Sequence, residues 1–402
     1  MAIYYLSADG HDGNDGLTPE TAWQTISHAN QAMHPGDTLL FRRGDTFFGA
    51  VRPPRNASYG AYGEGGKPVI SQYKTVLPGK WENCGENLWR IDLSDTCNFT
   101  GNIHDMDANA GFLLIDGQVH AVKRFAREDL AAQWEFYSGD TDMILWSETD
   151  PSAHEISIAC NIRCVTFADG LRVENLIFDG TGGHGISGTV RGAYVGNCEF
   201  RNIGGSRLVG YPNPTTRYGN GVECWSNSAN VIVENCVFTG IYDVAITMQG
   251  NGVRTGWENI ILRNNIMYNC QQAFEIWSSF DENYPGTGFK NCRFENNLCL
   301  DSGYCWGYDV RPNKGVSCDL LLYHLECPAC DVTVTGNVFS GARLCAVYKS
   351  GGCTQIPEGY RITGNTFILS EGEILCGRGR ESDEEYNQFY ARIAAENRIL
   401  RR

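Results

Sequence analysis

Four short segments of this chain look alike and carry chemically capable residues at matching places. They read Gly221-Val222-Glu223-Cys224-Trp225-Ser226, Ala245-Ile246-Thr247-Met248-Gln249-Gly250, Ala273-Phe274-Glu275-Ile276-Trp277-Ser278 and Gly307-Tyr308-Asp309-Val310-Arg311-Pro312. Two carboxyl groups held several ångströms apart suit hydrolysis of a glycosidic bond, because one protonates the departing oxygen while the other, ionised, attacks the sugar or activates water. Crowding also raises the pKa of one of them, which supplies the acid. If the segments are strands stacked about 4.8 Å apart, Glu275 and Asp309 lie about 5 Å apart and Glu223 and Glu275 about 9.6 Å apart. Retaining enzymes need about 5–5.5 Å and inverting ones about 6.5–9.5 Å, so both outcomes are open. Asp243, two residues before Ala245, is a further candidate acid, or simply a turn former.

Trp225 and Trp277 offer flat apolar platforms for the C–H face of a sugar ring, while Thr247, Gln249 and Arg311 offer hydroxyl partners. Arg311 is equally able to make a structural ion pair with Asp309. His184, Arg217 and Tyr218 are expected to complete the substrate contacts, although a lone histidine such as His184 is more often structural. The stretches 204–220 and 280–289 flank the face and are expected to wall it into subsites.

These residues act together only if their segments are strands in one register. Alternation then sends Val222, Ile246, Phe274 and Tyr308 inward with Cys224, Met248, Ile276 and Val310. The opposite parity forms two outward columns: Ser187, Glu223, Thr247, Glu275, Asp309, and beside it Thr189, Trp225, Gln249, Trp277, Arg311. A slip of one residue would reverse a whole strand, so Lys349 is inward in this frame and outward after such a slip.

What would stack the strands is an internal repeat. A short apolar run, an Asn and another apolar residue recur as Val173-Glu174-Asn175-Leu176, Val195-Gly196-Asn197-Cys198, Val233-Glu234-Asn235-Cys236, Leu262-Arg263-Asn264-Asn265, Phe294-Glu295-Asn296-Asn297, Val334-Thr335-Gly336-Asn337 and Ile362-Thr363-Gly364-Asn365. Their spacing of 22 to 40 residues fits a coil of about 22 with insertions in some turns. Asn tolerates left-handed backbone and its amide can bond the Asn of the next coil, so one in-phase Asn per coil is expected. The expected fold is therefore all-β: a single-stranded right-handed parallel β-helix, a solenoid over residues 1–382 with an irregular β insertion at about 75–150. Leu17 to Trp23, followed by Ile26, Ala29 and Met33, reads as a capping helix, and residues 383–402 as a short C-terminal helical segment.

A net charge of −15 disfavours a polyanionic partner such as nucleic acid or a membrane surface, and a neutral substrate is easier to accommodate. The N-terminus carries no leader pattern, which predicts a cytoplasmic protein, with secretion open if a leader has been removed. Seventeen cysteines, many inside apolar runs, read as reduced core thiols. Cys318, His324, Cys327 and Cys330 have a spacing that zinc could use, and Asp9, Asp12 and Asp15 resemble a calcium loop without its bidentate Glu. With so many other cysteines, no metal and no cofactor are expected; a homo-oligomer is left open.

The opening residues Tyr4-Tyr5-Leu6-Ser7-Ala8-Asp9-Gly10, Asn14-Asp15-Gly16, Thr21-Ala22-Trp23 and Pro35-Gly36-Asp37-Thr38-Leu39-Leu40-Phe41, together with the Asn repeats, resemble the pectate-lyase-like β-helix proteins that act on carbohydrates. That resemblance implies the fold and a glycan partner, but not the reaction, because such proteins include lyases, hydrolases, epimerases and binding proteins. The expected function is a glycoside hydrolase. A polysaccharide lyase acting on a uronate and a non-catalytic glycan-binding solenoid are the alternatives.

Overall fold

The computed structural model describes residues 1–101, 106–251, 255–279, 281–310, 317–325, 329–349, 358–378 and 382–402. Three parallel sheets form the walls of a β-helix. Two have ten strands each and the third has eight: Val165–Thr166, Ile186–Gly188, Val222–Trp225, Val244–Gly250, Gln272–Ser278, Cys318–Leu325, Cys345–Lys349 and Ile374–Gly377. The eight coils from Ser58 to Gly377 each contribute a strand to every wall, and alternation sends every second side chain inward. The inward side chains form one elongated core that runs from Leu6 to Ile393. Like stacks on like inside it: the rings of Phe178, Phe200 and Phe238 lie 5.1 and 4.6 Å apart on successive coils.

The coil corners explain the Asn repeat and correct it. The left-handed position is held by Asn175, Asn197, Asn235, Asn264 and Asn296, then by Gly336 and Gly364, with φ between 52° and 68°. The next residue points inward, and it is Leu176, Cys198 and Cys236 before it becomes Asn265, Asn297, Asn337 and Asn365. The expected single column is thus two adjacent ones. The first demands positive φ, which Asn and Gly tolerate. The second has no such demand and takes either a small apolar group or an amide. In the amide stretch, each Nδ2 donates to the Oδ1 of the next coil at 3.0, 3.0, 2.8 and 2.8 Å, ending on Asn397.

Between the second and third walls, a mainly antiparallel insertion spans Tyr73 to Ala159 and folds on a separate core that includes Ile91, Phe136 and Ile158. At the N-terminal end, the expected helix from residue 17 is a 3-10 turn at Pro19–Thr21 and a helix at Ile26–Ala32. The hydroxyl of Thr25 caps that helix by accepting from the His28 amide at 3.1 Å. At the other end, a helix spans Asp383–Glu396, and the last residues differ from expectation: Arg398–Arg401 form a strand beside Thr366–Leu369. Among the described residues, no helix is long and apolar enough to cross a membrane. Cys198, Cys224 and Cys236 are free and buried.

Candidate active site

On the third wall, the register is Ser187, Glu223, Thr247, Glu275 along one outward column and Trp225, Gln249, Trp277 along the next. This is the alignment read from the sequence over four coils. The fifth coil departs from it. Opposite Glu275 stands Leu321, opposite Trp277 stands Tyr323, and Tyr348 follows Leu321.

Asp309, expected to extend the acidic column, lies instead on a helical turn, Gly307–Val310, and is exposed. Its segment is recruited elsewhere. Trp306 leaves the coil to stack on His120 of the insertion, 4.9 Å away and nearly parallel, and donates from Nε1 to Gly240 O at 3.0 Å. The Arg343 guanidinium covers the Tyr308 ring at 3.3 Å. The continuous apolar run Leu320-Leu321-Leu322 makes the better wall strand, which the matching spacing of 307–312 concealed. Arg311 lies outside the described residues, as do Phe280, Cys327 and the side chain of His324. Cys318 and Cys330 belong to strands of different walls.

The two glutamates are almost covered, with 6% and 8% of their surface exposed, and this depth gives their contacts weight. Glu223 Oε2 accepts from Asn220 Nδ2 at 3.0 Å and from Gln249 Nε2. His184 Nε2 lies 3.5 Å from the same oxygen. Glu275 Oε2 accepts from the Thr247 hydroxyl at 3.3 Å, so Thr247 sits between the acids as a spacer that touches one of them. The half-buried Trp225 and Trp277 flank Gln249 on the outward column, their rings 6.2 Å apart and inclined at 43°.

Asp243 occupies the coil between the glutamates at the corner of the wall, its carbonyl accepting from the Gln272 amide at 3.1 Å. Tyr218 packs its ring 4.8 Å from His184 and donates its hydroxyl to Asn161 Oδ1 at 2.6 Å, and burial holds its pKa above the usual tyrosine value. Arg217, expected to contact substrate, is buried. Its guanidinium donates to Gly205 O and, at 2.8 Å, to Gly111 O, bolting the insertion to the coils, and it lies over Tyr242 at 4.6 Å. Burial first, and then the nearby Arg163 charge, hold His184 below the ordinary histidine range against the opposing pull of Glu223 and Asp243.

Asn220 and Asn161 were not picked out from the sequence. Asn220 ties two coils, accepting from the Val244 amide at 3.1 Å while it holds Glu223. Its signal was its place three residues before Glu223 at a Gly-Asn-Gly corner. Asn161 comes from the far end of the insertion, and no local pattern marks it. Lys349 points inward as the unshifted frame requires and is buried, with its ammonium 5.7 Å from the Phe389 ring of the C-terminal helix.

No protein-family model matches the chain, and no curated protein matches it by sequence. Solved structures do. A complex of XylC with xylose superposes with a TM-score of 0.58 at 14% identity, over 94% of this chain and 64% of that one, so this chain spans less than two thirds of that protein. A protein described as a glycoside hydrolase gives 0.54 at 11% identity, over 100% and 96%. A GH136 lacto-N-biosidase from Eubacterium ramulus gives 0.51 at 14%, over 100% and 68%. At such identities the likeness is one of architecture: this chain has the parallel β-helix fold of known carbohydrate-active proteins.

Proposed function

We propose that this protein is a glycoside hydrolase that cleaves a neutral oligosaccharide, with Glu223 and Glu275 as its carboxyl pair. The observation that carries this reading is that both acids leave the same strand position of one wall, two coils apart, with two tryptophans and an amide one position along. Two coils correspond to about 9.6 Å between backbones, the upper end of the inverting separation, where a water fits between acid and sugar. With Asp309 off the wall, the one-coil spacing that suits a covalent intermediate is missing from this column.

Within the pair, Glu223 suits the base. The donors around it converge on one oxygen and leave the other to orient water. Glu275, beside the Thr247 hydroxyl, takes the acid's role. A net charge of −15 favours a neutral glycan over a polyuronate. The neighbours described as a glycoside hydrolase and a lacto-N-biosidase lend support from fold alone.

The test is a panel of natural oligosaccharides and aryl glycosides, with product anomers read by NMR, for the wild type and for Glu223→Gln and Glu275→Gln. Cleavage with inversion that disappears in both variants is expected. Full activity in either variant, an unsaturated product, or binding without turnover would each refute it, the last two in favour of a lyase and of a glycan-binding solenoid.

A further inference from the structure

The contacts of Glu223 are lopsided. Asn220 Nδ2 and Gln249 Nε2 both donate to Oε2, and His184 Nε2 approaches the same atom, whereas Oε1 accepts no hydrogen bond among the described residues. The state of His184 follows from its other nitrogen. The backbone N–H of Asn220 donates to Nδ1 at 3.0 Å, so Nδ1 holds a lone pair, and the proton of a neutral ring sits on Nε2. Protonating Nδ1 would set two donors against each other. Asn220 therefore acts twice, orienting the histidine through its main chain and the glutamate through its side chain.

The groups facing the ring from its surroundings are few. Glu223 and Asp243 approach from the two following coils, Arg163 from the end of the insertion, and the Tyr218 ring from the neighbouring hairpin. Arg163 also donates to Ser187 O at 3.5 Å, which keeps its guanidinium over this edge of the wall.

We infer that His184 is a positioning residue for Glu223: held by the Asn220 amide in the neutral Nε2–H tautomer, it supplies a third donor to Oε2 and leaves Oε1 as the oxygen that meets the water. The 3.5 Å separation is long for a hydrogen bond, and such contacts tighten when substrate excludes solvent. The role in catalysis rests on the hydrolase reading; the tautomer and the coupling to Glu223 do not.

Two measurements separate these layers. In the first, nitrogen NMR of histidine-labelled protein, with the His184 signal assigned by its loss in His184→Gln, should show a neutral Nε2–H ring at neutral pH and a titration midpoint below that of free histidine. Glu223→Gln should lower its titration midpoint further, because a carboxylate that opposes the effect of burial is removed. An Nδ1–H ring, or a midpoint unmoved by Glu223→Gln, overturns the inference whatever the substrate proves to be. In the second, His184→Leu should lower kcat about 10- to 100-fold with KM nearly unchanged and shift the acid limb of the pH–rate profile upward. His184→Gln, which keeps a donor for Oε2, should recover most of that loss. Equal losses in both variants would make the residue merely structural. If His184→Leu fails to fold, the Gln variant and the NMR titration still decide. A wild type that cleaves no glycan defeats the hydrolase reading and leaves the tautomer to the NMR result.

Discussion

The coils before residue 241 and those from residue 296 onward are built to opposite polarity. Upstream, the inner corner column is apolar, Leu176, Cys198 and Cys236, while the outward column of the third wall is acidic at Glu223 and, in the intervening coils, at Glu275. Downstream, the core holds stacked Asn297, Asn337 and Asn365 and a buried Asp319, while the outward columns become Leu321, Tyr323 and Tyr348. A solenoid permits this because each coil contacts only its neighbours, so the inside and the outside of a column are set separately. The difference teaches that chemistry on this wall is confined to a few coils, and that the downstream stretch secures its register with polar groups inside.

The sharpest way to break that comparison is to exchange charge for an amide in the acidic coils. Glu223→Gln and Glu275→Gln should each lower glycan-cleaving kcat about 10³-fold without changing the melting temperature much, whereas Tyr348→Phe should stay within about threefold of wild type. Comparable losses in all three would mean that the wall does not divide into a reactive and a passive part.

Next in size is the buried acid. Asp319 lies in register with the core alanines Ala273 and Ala346. It accepts from the Ser302 hydroxyl at 2.6 Å, and its Oδ2 has no partner. Burial pushes its pKa up from 3.8 to about 8. The folded state therefore prefers the protonated form. The stability this contributes is complete below about pH 4, declines as pH rises, and is gone above about pH 8. Each unit of the gap corresponds to about 1.4 kcal/mol, so the decline amounts to several kcal/mol. Thermal melts across this window should show wild-type stability falling with pH and Asp319→Asn nearly flat. Parallel curves would place the carboxyl in contact with solvent.

How much of this was legible in the sequence follows the same division. Upstream and in the intervening coils, alternation in Val222–Trp225, Val244–Gly250 and Gln272–Ser278 exposes the register directly, because each strand is short, ends at or just before a Gly or Ser, and is apolar at alternate positions. Downstream, Gly307 to Pro312 imitates that pattern in a segment committed to docking Trp306 on the insertion. A long-range contact of this kind leaves no local trace, so Asp309 was misplaced. Asn161 and the bolt made by Arg217 were hidden for the same reason: their partners are 57 and 106 residues away. The Asn repeat was visible, but its division into a strained position and an inward position was not, since both accept Asn.

That division makes the next prediction. Asn297 donates from Nδ2 to Leu262 O at 3.0 Å and to Asn337, and its Oδ1 accepts both the backbone and side-chain N–H groups of Asn265. Asn297→Leu would orphan these buried groups, at about 1–3 kcal/mol for each unsatisfied one, partly relieved by relaxation. A loss of about 3 kcal/mol in urea unfolding is expected. Cys236→Ala upstream, which removes a thiol and with it the weak acceptor for the Cys198 amide, should cost about 1–2 kcal/mol. Equal costs would show that the amides stabilise no more than any well-packed side chain.

The smallest effect is the most discriminating. Cys236 sits where the apolar column meets the amide column: its backbone N–H already donates to Asn265 Oδ1 at 2.9 Å, and its sulfur faces the Cys198 amide at 3.4 Å. Cys236→Asn would extend the stack by one coil. Its Nδ2 would reach Asn265 Oδ1, and its Oδ1 would give the Cys198 amide a stronger acceptor than sulfur. Set against this, the amide is larger than the thiol it replaces and must fit between Cys198 and Asn265 in a close-packed core. The two contributions nearly offset, so the unfolding free energy should change by no more than about 1 kcal/mol in either direction. The same change at Cys198, which has Cys236 rather than an amide on its downstream side, should cost about 2 kcal/mol more, because the new Nδ2 would find no oxygen there. Equal effects at the two positions would mean that the column tolerates an amide anywhere, and that the polarity switch between the two halves has no energetic boundary.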